Sequence, residues 1–203
     1  MLLAIDTSAG TSVAVVDRDG GILAERGAAD SRGHAEVIGT FIAQCLHESG
    51  IAVTDLSGVA VGMGPGPFTG LRVGIAAARA FAFGARKPVV PVVSHDAIAF
   101  GTLKPILIVT DARRREVYWS TYSGSDAAGL PVRAQGPELA RPDELLTPAF
   151  EAFTRVDAAE VSAGALGMLA ELMHINKRPF AGSQPLYLRS PDVTLSAGPK
   201  RVS

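Results

Sequence analysis

The chain has 203 residues, 47% of them hydrophobic, enough to bury a full core as one large domain or two small ones. A formal net charge of -1 excludes a general attraction to phosphate backbones, and a single cysteine, Cys45, excludes an intramolecular disulfide or a cysteine-based zinc cluster. Asp6 follows an apolar start with no basic leader, and Arg79 interrupts the longest apolar helix short of a membrane span, so a cytoplasmic protein with no membrane segment is expected.

Residues 2–5 form an apolar run ending at Asp6, and residues 11–17 resume with β-branched side chains before Asp19, Gly20 and Gly21 reverse the chain. With a third strand over residues 22–28, these are hairpin signals. Val37, Ile38, Phe41, Ile42, Cys45 and Leu46 then give a helical stripe that stops at Gly50, and residues 56–62 return to strand. Gly64, Pro65, Gly66 and Pro67 can continue neither element; Thr69 is expected to cap a second helix that begins there. That helix is almost wholly apolar. Arg72, Arg79 and Arg86 recur every seven residues on one stripe, while Ala76, Ala80 and Gly84 form a row without bulk. A strand over residues 89–93 and a helical stretch over 96–103 complete the order βββαβαβα.

A second cycle starts at Pro105. An apolar strand over residues 106–110 ends at Asp111, a polar turn follows, and residues 117–122 form a strand, echoing the layout around Asp6. Residues 131–148 read as loop, residues 158–173 as an alanine-rich helix, and the last dozen residues as a poorly ordered tail. The domains expected are residues 1–104 and residues 105–203.

Four motifs now stand in order: DTSAGTS at residues 6–12, GPGPFTGLRVG at 64–74, DARRREVYW at 111–119 and PLYLR at 185–189. Together they resemble the TsaB family, also called YeaZ, of the ASKHA superfamily of actin-like, sugar-kinase-like and Hsp70-like proteins. The resemblance implies an α/β fold of two duplicated ribonuclease-H-like domains, with mixed sheets flanked by helices. It also implies a non-catalytic subunit that binds a TsaD-like catalytic subunit, with a TsaE-like ATPase, to place threonylcarbamoyl on the tRNA adenosine next to the anticodon. ATP and metal are then expected on the partner subunits, with no cofactor on this chain, and tRNA is met through the complex. Two positions depart from the pattern. Pro67 stands where serine is usual, and residues 148–153 lack the glycine-rich turn expected of the second domain.

Each candidate site carries two readings. In TsaD the segment matching residues 95–99 resembles H-x-x-x-H, two imidazoles on one helical face for a metal; here His95 is followed by Ala99, so no metal is expected. Asp6, Thr7, Ser8, Gly10 and Thr11 look like a vestigial ASKHA phosphate loop, or simply a β-hairpin whose aspartate orders its own turn. The matching place after Asp111 has no glycine, which argues against the alternative function, an independent ATP-dependent phosphotransferase using Asp6 as base. Arg113, Arg114 and Arg115 read either as a solvated turn or as a contact for tRNA phosphate. Ser94, His95 and Asp96 are consecutive and, on an extended strand, face opposite ways, so peptidase chemistry is not expected.

What remains is apolar surface. Val37, Ile38, Phe41, Ile42 and Cys45 on the first helix, with Arg72, Val73, Ala76, Arg79, Ala80 and Phe83 on the second, make the expected partner interface. Two such helices can meet an equivalent pair in a four-helix bundle, as the resemblance also implies, or both can pack only on their own sheet. An uncovered helix pair leaves a homodimer open when the partner is absent.

Overall fold

The computed structural model describes residues 1–29 and 33–189. The chain builds two mixed sheets. The first runs β3-β2-β1-β4-β5, from β1 (Leu2–Asp6), β2 (Thr11–Asp17), β3 (Gly21–Ala28), β4 (Gly58–Gly62) and β5 (Val89–Val92). β1 pairs antiparallel with β2, Leu3 opposite Val15 and Ile5 opposite Val13, and parallel with β4. The β2–β3 turn closes because Asp17 Oδ2 accepts the Gly20 N–H at 2.8 Å.

Strand alternation sorts the side chains onto two faces. Leu3, Ile5, Val13, Val15, Val59 and Val61 face α1 (His34–Ser49) and α2 (Phe68–Ala85); Leu2, Ala4, Ala14, Val16, Ala60 and Val92 face α4 (Ala163–Ile175). α1 stops at Gly50, whose φ of 68° suits glycine. α2 begins after Pro67 with no side-chain cap, so Thr69 lies inside the helix and not at its cap: the fixed φ of proline starts the helix two residues earlier than the threonine signal indicated. α4 is held at its start by Ser162, which accepts the Ala165 N–H, and by Glu25 Oε1, which accepts the Ser162 hydroxyl and the Gly164 N–H.

The second sheet runs β8-β7-β6-β9, from β6 (Ile106–Asp111), β7 (Val117–Ser125), β8 (Pro131–Ala140) and β9 (Thr154–Asp157), the order in which β3, β2, β1 and β4 are arranged. The echo between Asp6 and Asp111 is therefore a repeat of topology. Residues 131–148 are not loop throughout. β8 forms because it pairs with β7, and register shifts along that ladder absorb Gly136 and Pro137. Two short 3-10 turns, Pro142–Leu145 and Pro148–Phe150, stand where α1 stands in the first cycle.

The strands of the first sheet all precede residue 105 and those of the second all follow it, yet α4 packs on the first sheet. α3 (Ser94–Ala99) sits between the two halves, with Ala97 in the core shared with α4 and Ala99 against Ile106, Ile108 and Tyr122. The segment after α4 also returns to the first half: the Ala181 N–H donates to Pro91 O and the Leu186 N–H to Met63 O. The expected disordered tail lies outside the described residues. Among the described residues no helix is long and apolar enough to cross a membrane.

Candidate functional site: a closed Asp6 loop and an outward helix face

The carboxyl ends of β1, β4 and β5 lie side by side, where open α/β sheets bind ligands. They bring together Asp6, the turn after Gly62, and Ser94. Asp6 is 1% exposed, and both its oxygens are engaged. Oδ1 accepts the Ser8 N–H at 2.7 Å and the Ser8 hydroxyl at 2.6 Å; Oδ2 accepts the Ser94 hydroxyl at 2.6 Å. Ser94 Oγ in turn accepts the Gly64 N–H at 3.1 Å. Burial pushes the Asp6 carboxyl up from its ordinary value, while the hydrogen bonds from Ser8 and Ser94 pull the other way. The room for this cluster comes from Gly62, where a Cβ would stand 1.8 Å from Asp6 Oδ2.

The other hydroxyls of the loop also turn inward. Thr7 Oγ1 donates to Gly70 O at 2.7 Å and accepts the Gly74 N–H at 3.1 Å, which ties the loop to the first turns of α2. A Cβ at Gly74 would lie 2.1 Å from that oxygen. Thr11 Oγ1 bonds His34 Nδ1 at 2.6 Å, and Ser12 donates to Val161 O at 2.5 Å. Asp6, Thr7, Ser8, Gly10 and Thr11 are all buried. The side-chain groups a phosphate cradle would offer to an anion are occupied by the protein itself. The bond from Ser94 to Asp6 and the close approach at Gly62 escaped the sequence reading. A glycine ending a strand signals close approach, whereas nothing local ties Ser94 to Asp6 across 88 residues.

The helix faces divide differently from expectation on α1. Ile38 and Cys45 are 7% and 0% exposed, and the Cys45 thiol donates to Val13 O at 3.3 Å. These two belong to the chain's own core and do not face a partner; the apolar stripe of α1 is the stripe that covers the sheet. Val37, Phe41 and Ile42 are half-buried, and Phe41 and Ile42 pack at the edge of that core. The outward face of α1 is instead Ala35, Glu36, Gly39, Thr40, Ala43 and Gln44. On α2 the inward face is Leu71, Ile75, Ala78 and Ala82, all nearly inaccessible, and Val73 is half-buried. Arg72, Ala76, Arg79, Ala80 and Gly84 are exposed, and Phe83 is 88% exposed. The PLYLR segment borders this face: Arg72 lies 3.7 Å over the Phe68 ring and donates to Tyr187 Oη, and Arg79 donates to Ser183 O at 2.7 Å.

Arg113, Arg114 and Arg115 form the exposed tip between β6 and β7, all three with φ between 54° and 65°. This left-handed run is pinned by Asp111 Oδ1, which accepts the Arg113 N–H, and by Arg189, which donates to Ala112 O and pairs with Glu116.

His95 is fully buried between Ser120 Oγ at 2.7 Å and Thr110 Oγ1 at 2.9 Å, and burial together with Arg133 lowers its pKa to about 3. With both ring nitrogens held by hydroxyls and the buried methyl of Ala99 one turn on, the segment does not fit a metal. Ser94 points to Asp6, His95 to Ser120 and Thr110, and Asp96 to Tyr122 and Arg133, so the three form no catalytic line. A cavity of about 580 Å³ lies at the opposite end of β1 from Asp6, against Met1, Asp17, Ser57, Val89 and Glu171.

Two sheets of repeated topology, with the Asp6 loop at the carboxyl end of the first closed by the protein's own groups, define an ASKHA-type protein. A family model described as TsaD, tRNA N6-adenosine threonylcarbamoyltransferase, matches residues 6–182. The chain belongs to this family, as a member of TsaB (YeaZ) type. A Mycobacterium tuberculosis protein is 39% identical over 199 residues, 94% of this chain and 92% of the relative. The Escherichia coli tRNA threonylcarbamoyladenosine biosynthesis protein TsaB is 35% identical over 126 residues, 60% of this chain and 54% of that protein. A solved Pseudomonas aeruginosa structure, described as similar to peptidase YEAZ, superposes with a TM-score of 0.77 at 25% identity, covering 93% of this chain and 99% of that one.

Proposed function

We propose that this chain acts in tRNA threonylcarbamoyladenosine biosynthesis as a non-catalytic subunit. It binds a TsaD-like catalytic subunit through the outward faces of α1 and α2 and works with a TsaE-like ATPase in the cytoplasm. The observation that carries the docking reading is Phe83, 88% exposed on a helix whose opposite side is fully used by its own sheet. The pathway comes from the name of the E. coli relative. The closed loop at Asp6 supports the non-catalytic role, since an ASKHA phosphotransferase needs that carboxylate accessible to a nucleotide's phosphates. ATP and metal belong to the partner subunits in this reading. The arginine tip at residues 113–115 meets tRNA phosphate within the complex, where guanidinium forks match phosphate geometry.

Light scattering on a sizing column, with the chain alone and then mixed with the TsaD-like subunit of the same organism, tests the docking. A heteromer is expected, and tRNA modification reconstituted with the TsaE-like ATPase is expected to fall when this chain is left out. Two folded proteins that do not associate, together with ATP turnover by the chain alone that Asp6→Asn abolishes, would overturn the reading in favour of the phosphotransferase.

A further inference from the structure

We propose that the cavity at the amino ends of β1 and β5 is a binding site for an organic cation, an amine carried on an apolar body. It lies away from both features described above. Asp6 is at the other end of β1, about 13 Å off at about 3.3 Å per residue, and α1 and α2 cover the face of the sheet opposite to α4. The cavity holds about 580 Å³, within the range of about 300–1,000 Å³ that small-molecule sites occupy. Leu2, Val89 and Phe180 give it apolar walls. Onto these walls converge Asp17 from the end of β2, Ser57 from the residue before β4, and Glu171 and His174 from α4. A few polar groups set in an apolar wall are what fixes the orientation of a bound small molecule.

The charge of the cavity decides the sign of its ligand. Arg18 and Asp19, also on the rim, neutralise each other through hydrogen bonds of 3.0 and 2.9 Å. Asp17 and Glu171 are left facing one amino group, that of Met1, 3.5 Å from Glu171 Oε1, so negative charge is in excess. The side chain of Glu171 is only 15% exposed, and among the described residues no hydrogen bond engages its carboxylate. Asp17 Oδ2 accepts the N–H groups of Asp19 and Gly20, whereas Asp17 Oδ1 and the Ser57 hydroxyl have no hydrogen-bond partner among the described residues. A carboxylate drawn largely out of water gains most from a charged donor, since charge-assisted hydrogen bonds are roughly twice as strong as neutral ones. An ammonium in the cavity brings three such donors to these oxygens, while its apolar body covers Leu2, Val89 and Phe180. An anion of the same shape would add to the excess charge and be repelled.

The test titrates the full chain with two amines, phenethylamine and tryptamine, and with the carboxylates of the same bodies, hydrocinnamate and indole propionate, followed by backbone amide NMR. At least one amine is expected to give saturable shifts at Val89 and Glu171 with a Kd of about 1 mM or tighter, and its carboxylate counterpart to bind about tenfold more weakly or not at all. Two variants, each checked for a cooperative melt, locate the binding. Glu171→Gln keeps the shape of the side chain and is expected to weaken the amine by about tenfold while leaving the carboxylate unchanged. Ser57→Trp fills the cavity from an exposed position whose side chain holds nothing else, and is expected to abolish binding of both. Carboxylates that bind as tightly as the amines overturn the proposal, as does amine binding indifferent to both substitutions. The absence of saturable shifts at the cavity with either amine overturns it as well.

Discussion

Ala78 and Ala80 are two residues apart on α2 and point to opposite environments, so the same substitution at each separates core from interface. Ala78 is 0% exposed, in the cluster with Leu3, Ile5 and Val59; Ala80 is exposed in the row with Ala76 and Gly84. Ala78→Glu buries a carboxylate with no partner, a change that costs about 3–5 kcal/mol. For a chain of this size about 1 kcal/mol moves Tm by about 2–4 °C, so the variant should melt about 10 °C lower or lose its cooperative transition. Ala80→Glu touches no core contact and should stay within about 0.5 kcal/mol of wild type, less than about 2 °C in Tm. Against a partner the order reverses. Bulk forced into a close helix contact costs about 1–3 kcal/mol. About 2.7 kcal/mol corresponds to about a hundredfold in Kd, and titration calorimetry with the TsaD-like subunit reads it. Circular dichroism melts on both variants supply the other half. The reasoning is refuted if Ala80→Glu loses its cooperative melt, which would make Ala80 core, or if it binds as tightly as wild type.

Other expectations follow from the same geometry. Burial pushes the Cys45 thiol up to about 11, so at pH 8 its thiolate fraction is about a hundredfold below that of an ordinary cysteine, and an aromatic disulfide reagent should label native protein at least that much more slowly than unfolded chain; equal rates would place Cys45 at the surface. His95 stays neutral to about pH 3, whereas an unfolded histidine takes up its proton near pH 6.5. In that window the unfolded state binds more protons, so this group's contribution to stability is present above pH 6.5 and declines as pH falls, by about 1.4 kcal/mol per pH unit at most. Urea melts should show a flatter acid limb for His95→Gln, and parallel limbs would contradict the burial. Gly62→Ala would put a methyl 1.8 Å from Asp6 Oδ2, so Asp6 must move and release its bond to Ser94; a loss of about 2 kcal/mol or more in urea unfolding is expected, and an unchanged midpoint would be inconsistent with the cluster.

The sequence by itself determined the elements whose signals are local. The apolar runs that became β1, β2 and β4 and the glycine stop of α1 at Gly50 need only neighbouring residues to be read. The arginine spacing and the small-residue row of α2 were likewise legible, because periodicity fixes which positions share a face. Tertiary structure decided the rest. β8 exists only by pairing with β7, since its own composition of proline, glycine and charge reads as loop. α4 covers the first sheet although it follows the strands of the second, because an apolar helix face can be satisfied by any sheet within reach of the chain. The sequence reading assigned the stripe of α1 to a partner; only the fold placed Ile38 and Cys45 inside. The Asp6 loop is closed by Ser94, Gly70, Gly74 and Val161, from three later segments of the chain, so whether its polar groups faced an anion or the protein could be settled only once those segments had been brought to it.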